Sequence, residues 1–412
     1  MRANRVSYCG AAFFVIALAS IGLFAMKAQA ADAARPIRIG MVLGLSGPLS
    51  EVSGPNSVAA ARMAVEDFGP ALLGRSIEII AADDQNKPDV ASSVVQGWIG
   101  RHEVDALIAG SGSAAALAVH ELGRTYKVPV FISGPANPAF TGSACSPMTI
   151  QFVWDSYGVA TTIGRELMKR HIDTWFEIAP DNANGRALAK IFSAAVTKAG
   201  GKIVGSVNHP TNIPDFSSYL LEAQASKAKG IAPFAPGLDL LNLLKQAHEF
   251  HIMGGAQVIA GATLTVTEIH ALGLPIVHDI ELVTPFYHNF DAATRQWTAR
   301  FAERTKSHLP TAFQAGAYSA VFHYLKAVRA AGTTDGPTVV AKMKALPIND
   351  FEMKDVVIRA DGQTMRPLLL ARVKKPTEAK SPTDYLEIER VVPAAEAWRT
   401  LAESGCAFAT KH

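Results

Sequence analysis

Ser113 is the residue whose setting in the sequence most favours ligand binding. A strand is predicted to end at Ala109, and a helix is predicted to begin near Ala114. A hydroxyl group beside unpaired backbone N–H groups at the start of a helix suits an anion such as a carboxylate. Serine also caps helices by accepting a backbone hydrogen bond, so a purely structural role is the alternative.

Two other polar groupings could hold a metal ion, but their spacing argues against it. His248 and His251 lie three residues apart, whereas the zinc-protease pattern requires four and a third ligand. Asp83 and Asp84 end a predicted strand without further carboxylates at a useful spacing. We therefore predict polar loop contacts at this strand end, no metal site and no cofactor.

The sequence lacks the motifs of the common nucleotide-binding and hydrolytic enzymes. It contains no phosphate-binding loop, no G-x-G-x-x-G after the first strand and no G-x-S-x-G nucleophile elbow. We predict that the protein is not an enzyme. An exported hydrolase assembled from distant residues is the alternative.

The charge of the chain does not support a nucleic-acid partner, and we predict none. The 412 residues carry 39 Lys and Arg against 36 Asp and Glu, and Arg2, Arg5 and Lys27 account for the excess. No basic cluster interleaved with aromatic residues remains. With 49% hydrophobic and 18% charged residues the chain is globular, and its length predicts two to three domains of ~150 residues.

The first thirty residues predict export. Arg2 and Arg5 precede an apolar run from Ala11 to Met26, which leads to the A-x-A cleavage pattern Ala28-Gln29-Ala30. The run is shorter than the ~20 residues that span a bilayer, so an uncleaved anchor is the less favoured alternative. We predict a cleavable signal peptide over residues 1–30 and a mature protein in a bacterial periplasm.

Two cysteines, Cys145 and Cys406, follow the signal peptide. Because exported proteins reach an oxidising compartment, we predict one disulfide between them, with two free thiols as the alternative.

Strand and helix patterns alternate along most of the chain, first from Ile37 to Ile132 and again after Asp155. This rhythm predicts two consecutive doubly wound α/β sheets, hence two lobes with the ligand site outside the carboxyl ends of their strands. The last third departs from the rhythm, with long helices followed by short strands, one of them at residues 355–359.

Several stretches resemble the periplasmic substrate-binding proteins of ABC importers of the branched-chain amino acid (Leu/Ile/Val-binding, type I) family. They resemble a subgroup associated with aromatic acids and other small organic solutes. The stretches, in chain order, are IGMVLGLSGP from Ile39, DQNKPDV from Asp84, SAAALAV from Ser113, TGSACSP from Thr141, PDFSSYLL from Pro214 and QAGAYSA from Gln314.

The resemblance implies two Rossmann-like lobes that are joined by three crossovers and close on a ligand. It implies that the chain returns to lobe 1 near Pro285 and leaves it again near Pro347. We accordingly predict lobe 1 at 31–154 plus 286–350 and lobe 2 at 155–285 plus 351–412.

The resemblance also supplies the candidate ligand-binding residues. Ser113 matches a carboxylate-binding position, and Ser133-Gly134-Pro135-Ala136 resembles a second carboxylate-holding loop, although Pro135 lacks an N–H group. A structural turn is the alternative for that loop, and a core position is the alternative for Phe234. The full set is Gly44, Leu45, Ser46, Ser113, Ala114, Ser133, Pro135, Ala136, Trp154, Tyr157, Asn182, Asn184, Phe234, Asp239, Tyr287 and His288.

Departures from the subgroup predict a reshaped pocket. Gly44 and Leu49 stand where an acidic and an aromatic residue are common, and Asn182 and Asn184 replace aromatic residues. Without an acidic partner at Gly44, the ammonium group of an ordinary amino acid would be buried unpaired at a high cost. We therefore predict a small organic ligand with an apolar or aromatic body, either with or without a carboxylate.

The resemblance implies a receptor that delivers this ligand to an inner-membrane ABC permease. Branched-chain amino acid binding and a ligand sensor that serves a signalling partner are the alternatives. We expect a monomer.

Overall fold

The computed structural model describes residues 35–47, 50–253 and 255–409. The predicted signal peptide and the departure at Leu49 lie outside these residues. The described chain forms two separate sheets, each covered by helices, which confirms the predicted pair of α/β lobes.

The first lobe is built on a six-stranded sheet. Its elements are β1 (Ile37–Leu43), α1 (Ser50–Ser53), α2 (Pro55–Phe68), β2 (Ala71–Leu72), β3 (Arg75–Asp83), α3 (Pro88–Gly100), β4 (Ala106–Ala109), α4 (Ser113–Tyr126), β5 (Val130–Ile132), a 3₁₀ turn (Pro138–Thr141) and β6 (Thr149–Gln151). The strand order is β2-β3-β1-β4-β5-β6. The central strand β1 pairs in parallel with β3 and β4 and is almost wholly buried, because helices cover both faces of such a sheet.

The second lobe begins with α5 (Ser156–Met168), β7 (Thr174–Pro180), α6 (Ala183–Lys198), β8 (Lys202–His209), α7 (Ser217–Ala225), β9 (Gly230–Pro233), α8 (Leu238–Glu249), β10 (Val258–Gly261), α9 (Val266–Leu272), α10 (Leu274–Val277) and β11 (Glu281–Thr284). The chain then returns to the first lobe as α11 (Ala292–Arg304), α12 (Ala312–Ala331) and α13 (Gly336–Ala345). Trp297, Phe301 and Tyr324 of these helices are buried in the same apolar core as Ile37 of β1.

Two antiparallel strands complete the second sheet. They are β12 (Leu368–Val373) and β13 (Leu386–Val392), followed by the short helices α14 (Ala394–Ala397) and α15 (Leu401–Ser404). The seven-stranded order is β13-β12-β11-β10-β9-β7-β8.

The region after α13 differs from the sequence prediction. The chain enters β12 at Leu368, past Arg366, rather than leaving the first lobe near Pro347. Met353, Val356 and Ile358 belong to the first apolar core, although we predicted residues 351–412 in the second lobe. The predicted strand at 355–359 forms only isolated bridges. The alternation of strands and helices in the sequence therefore did not indicate where this segment packs. The exact residue bounds of the lobes remain a prediction.

The three crossovers between the lobes lie near Phe152, Pro285 and Arg366 in chain order, and Arg366 connects them. Its guanidinium donates to the carbonyl oxygen of Pro285 at 2.7 Å and to that of Phe152 at 3.5 Å, so one side chain contacts both other crossovers. The same group forms an ion pair with Glu352 at 2.7 Å, and both side chains are almost completely buried. Ser319 donates a further hydrogen bond to Glu352.

A disulfide joins Cys145, which follows the 3₁₀ turn of the first lobe, to Cys406 at the end of the chain. Their Cα atoms are 5.6 Å apart. None of the described helices is both long and apolar enough to cross a bilayer.

Candidate functional site

The loops at the carboxyl edge of the first sheet are held by two neighbouring carboxylates. Asp83 accepts hydrogen bonds from the Leu45 N–H group at 3.1 Å and from the Ser46 hydroxyl at 2.5 Å, and the latter lowers the pKa of Asp83. Asp84 accepts from the Ser111 hydroxyl at 2.6 Å. The two residues therefore serve as loop contacts, and they fix the segment that begins at the buried Gly44.

Ser113 is the first residue of α4, and Gly112 occupies the cap position. The alternative that Ser113 caps the helix is therefore wrong. The Gly112 N–H group donates to the Asn86 side chain at 2.9 Å, while Ser113 is half-buried and Ala114 is exposed. Within the described chain the Ser113 hydroxyl has no hydrogen-bond partner. The hydroxyl and the first N–H groups of α4 are thus positioned to bind an anion.

The second predicted loop, Ser133 to Ala136, follows β5 at the same edge. Gly134 lies so close to the next loop that a Cβ atom on it would fall 2.0 Å from the Gly110 carbonyl oxygen. Ser133 is 1% exposed, and its hydroxyl oxygen has no hydrogen-bond partner among the described residues. A buried hydroxyl without a protein partner is costly, so the Ser133 hydroxyl is suited to hydrogen-bond a ligand.

The first crossover holds this loop in place. Gln151 donates from its amide nitrogen to the Pro135 carbonyl oxygen at 3.2 Å and to that of Trp154 at 2.9 Å. The Ser156 N–H group donates to the Ala136 carbonyl oxygen at 2.8 Å. The structure thus brings the Ser133 loop and Trp154 together.

Trp154 and Tyr157 have different neighbours. The Trp154 ring packs against Phe313 with centroids 4.9 Å apart, which forms an aromatic wall at the first crossover. Tyr157 lies instead under the guanidinium of Arg399, 5.6 Å from its ring centre, and burial raises its pKa.

The candidate residues of the second lobe mostly have structural partners. Asn182 caps α6 through the Gly185 N–H group, whereas Asn184 is exposed. Asp239 accepts from the N–H groups of Asn212 and Ile213, and Phe234 is fully buried against Phe192. Their roles in ligand binding remain predictions.

Tyr287 and His288 secure the chain just before β13. The Tyr287 hydroxyl accepts from the N–H groups of Tyr385 at 2.8 Å and Leu386 at 3.1 Å, and burial raises its pKa to about 12. The ring of His288 is hydrogen-bonded to the Thr383 carbonyl oxygen at 2.9 Å, and burial lowers its pKa. Ligand contact by either residue remains a prediction.

A cavity of about 390 Å³ lies between the lobes, beside the segments that follow β1 and β10. The first lobe contributes residues from α1, α2 and the turn before α12, and the second contributes residues from α9 and Thr383. Its titratable residues are Glu51, His270, Lys306 and His308. No predicted site residue lines it, and a polar turn between two long helices gave no signal for it in the sequence.

The turn at this cavity is conformationally unusual. Lys306 and Ser307 both have a positive φ, 53° and 67°, a conformation that residues other than glycine rarely adopt. Leu309 of the same turn packs against the core of the second lobe, so the turn forms a contact between the lobes.

A smaller cavity of about 60 Å³ lies beside the crossovers and includes Tyr287. No group of three metal-ligating side chains occurs in the part of the chain that the structure describes.

Comparison with known proteins agrees with this architecture. A periplasmic binding protein from Burkholderia mallei is 37% identical, with a TM-score of 0.84 over 90% of this chain and 99% of its own. A branched-chain amino acid ABC transporter periplasmic ligand-binding protein from Burkholderia xenovorans is 34% identical, with a TM-score of 0.87 over 91% of this chain and 100% of its own. An R. palustris solute-binding protein in complex with benzoate shares the fold at 18% identity and a TM-score of 0.76, over 90% of this chain and 99% of its own.

Curated relatives are more distant. Leu/Ile/Val-binding protein homolog 6 of Brucella melitensis is 24% identical over 63% of this chain, and the match spans just under two thirds, 66%, of that relative. The sequence pattern of the periplasmic binding proteins matches residues 36–380. The chain therefore belongs to the periplasmic binding protein family.

Proposed function

We propose that the protein is a periplasmic receptor that captures a small organic solute between its lobes and delivers it to an ABC permease. The match to the periplasmic binding proteins over residues 36–380 carries this proposal, and the buried hydroxyl of Ser133 at the carboxyl edge of the first sheet supports it. A ligand group that hydrogen-bonds this hydroxyl would remove the cost of leaving it unsatisfied. The protein performs no chemistry, since the solute only shifts an equilibrium between open and closed lobes.

The favoured solute has an aromatic or apolar body and a carboxylate. Ser113 and the start of α4 suit the carboxylate, and the rings of Trp154 and Phe313 suit the body. Burying ~200 Å² of apolar surface contributes ~5 kcal/mol at ~25 cal/mol per Å². Micromolar affinity requires ~8 kcal/mol, so the remainder must come from the polar groups. The benzoate complex of the R. palustris protein supports this class.

A branched-chain amino acid is the second candidate. The B. xenovorans relative is described as a branched-chain amino acid transporter component, and the cavity between the lobes includes the Glu51 carboxylate, which could pair with an ammonium group. For this candidate, the ammonium group must contact the Glu51 carboxylate, because Gly44 offers no acidic side chain.

A binding screen separates the two candidates. Thermal unfolding is measured with benzoate, 4-hydroxybenzoate, leucine and valine, and calorimetry follows for each compound that raises the melting temperature. A true solute present at about 100 times its Kd adds ~2.7 kcal/mol of stability. Tight binding of leucine or valine alone would exclude the aromatic acids, and turnover of ester or amide substrates would contradict a receptor.

The export and the partner are tested separately. We propose that residues 1–30 are removed on export, so N-terminal sequencing of periplasmic protein should begin at Ala31. Permease delivery predicts that deleting the gene abolishes uptake of the solute, whereas a sensor predicts normal uptake with a lost transcriptional response.

A further inference from the structure

The chain passes from one lobe to the other within a single peptide bond near its end. Trp398 is 5% exposed and belongs to the apolar core of the second lobe, and its indole N–H group donates to the Arg366 carbonyl oxygen at 2.7 Å. Gly158 of α5 makes room for the ring, because a Cβ atom there would lie 2.3 Å from it. Trp398 is thus anchored in the second lobe.

The next residue is anchored in the first lobe. The Arg399 guanidinium donates to the Pro138 carbonyl oxygen at 2.5 Å and to the Thr141 hydroxyl at 3.0 Å. Both partners belong to the 3₁₀ turn, which Phe140 fixes in the first lobe by packing into its core.

The rest of the segment runs along the first lobe and ends in the disulfide, and its one ion pair with the second lobe among the described residues is the exposed Glu403–Lys198 pair. Gly142 permits a close approach, since a Cβ atom there would lie 2.9 Å from both the Ser404 carbonyl oxygen and the Arg399 guanidinium. Cys406 then bonds to Cys145, and both cysteines are nearly inaccessible to solvent. The disulfide encloses a sequence separation of 261 residues, which contains the whole second lobe.

We propose that residues 398–406, the C-terminal strap, form a fourth, covalently closed connection between the lobes that limits how widely they open. This inference rests on the proposed function, in which the lobes open and close around a solute. The strap lies beside the first crossover, where Arg399 is 3.8 Å from Asp155. Three crossovers alone leave the lobes free to spread and twist, and a fourth tie on this side removes part of that freedom.

The strap should strengthen solute binding through the open state. An open state with fewer accessible arrangements loses less conformational entropy when the lobes close. Releasing the strap would enlarge the open ensemble, so a smaller fraction of the protein would be competent to close and the apparent Kd would rise.

Small-angle X-ray scattering and hydrogen exchange test the strap on the solute-free mature protein. In the double variant Cys145→Ser/Cys406→Ser we expect a larger radius of gyration and faster exchange of the crossover amides at 151–155, 284–286 and 364–368. Exchange in the central strands β1 and β9 should stay unchanged, which shows that both lobes remain folded.

Two further variants keep the test decisive. Arg399→Met retains the disulfide but removes the contacts with Pro138 and Thr141, and it should reproduce part of both changes even if the double variant fails to fold. Lys198→Ala is the matched control, because the Lys198–Glu403 pair at 3.8 Å is exposed and contributes little. It should behave like the unmodified protein.

The outcomes test the strap separately from the proposed function. An unchanged radius of gyration and unchanged crossover exchange in both the double variant and Arg399→Met would overturn the strap, whatever the protein binds. Calorimetry with 4-hydroxybenzoate should additionally give a Kd about threefold weaker in the double variant. If neither 4-hydroxybenzoate nor leucine binds the unmodified protein, the proposed function fails while the scattering result still decides the strap.

Discussion

At the scale of single residues, Ser111 and Ser133 differ in whether their hydroxyl groups have a hydrogen-bond partner. Ser111 donates a hydrogen bond to Asp84, whereas the Ser133 hydroxyl is buried without a partner. We expect Ser111→Ala to lower the free energy of unfolding by about 1–2 kcal/mol, because it leaves Asp84 short of a donor. Ser133→Ala should slightly raise the stability of the solute-free protein, because it removes a buried hydroxyl without a partner, and it should weaken solute binding. Denaturant unfolding and calorimetry on both variants check this contrast, and equal binding by Ser133→Ala would remove Ser133 from the site.

Glu177 in β7 predicts a pH dependence of stability. Burial raises its pKa from 4.5 to about 7, although the Ser193 hydroxyl donates to it at 2.6 Å. Between pH 4.5 and 7 the folded state keeps this proton while the unfolded state loses it, so the free energy of unfolding falls as pH rises and is level above pH 7. The fall attributable to this residue is about 3 kcal/mol.

Glu177→Gln should abolish that part of the fall. Because the glutamine oxygen still accepts from Ser193, the variant should be more stable than the unmodified protein at pH 8 and equal to it at pH 4. Urea unfolding across this range measures the difference, and parallel pH curves for the two proteins would show that Glu177 does not titrate in this window.

At the scale of elements, the three crossovers depend on one buried ion pair. Arg366→Met leaves Glu352 buried without its partner and deprives the Pro285 carbonyl oxygen of a donor, which should cost about 3–5 kcal/mol. Burial already raises the pKa of Glu352, so the loss should be greatest at high pH, where the isolated carboxylate must stay ionised. The double variant Glu352→Gln/Arg366→Met should recover part of the stability. Equal losses in the single and double variants would argue against this pairing.

Sequence reasoning succeeded for elements whose pattern is local. The alternation of strands and helices predicted both sheets. The start of α4 was predicted near Ala114, one residue after the observed start at Ser113, and Gly112 occupies the cap position. The packing of the segment after α13 could not be predicted in this way, because its residues Met353 and Val356 belong to the first apolar core, whose other members are far away in the chain. The cavity at Lys306 was missed for the same reason, since segments distant in sequence form it.

At the scale of the whole molecule, export should change the charge of the protein measurably. The full chain has an isoelectric point of about 8.6, and the excess positive charge lies in the first thirty residues. Removing them leaves equal numbers of acidic and basic side chains, so the exported protein should focus near neutrality. Isoelectric focusing of the periplasmic and the full-length chain measures the shift. A periplasmic protein that still focuses near 8.6 would contradict cleavage.

The contacts of Arg366 also predict which positions of the crossovers can be substituted. Its guanidinium binds main-chain oxygens at Phe152 and Pro285, and every amino acid presents such an oxygen. Substitutions at those two positions therefore leave the acceptors in place, whereas a substitution of Arg366 removes both donors at once. Substitutions at Phe152 and Pro285 should accordingly be tolerated, whereas substitutions at Arg366 should not.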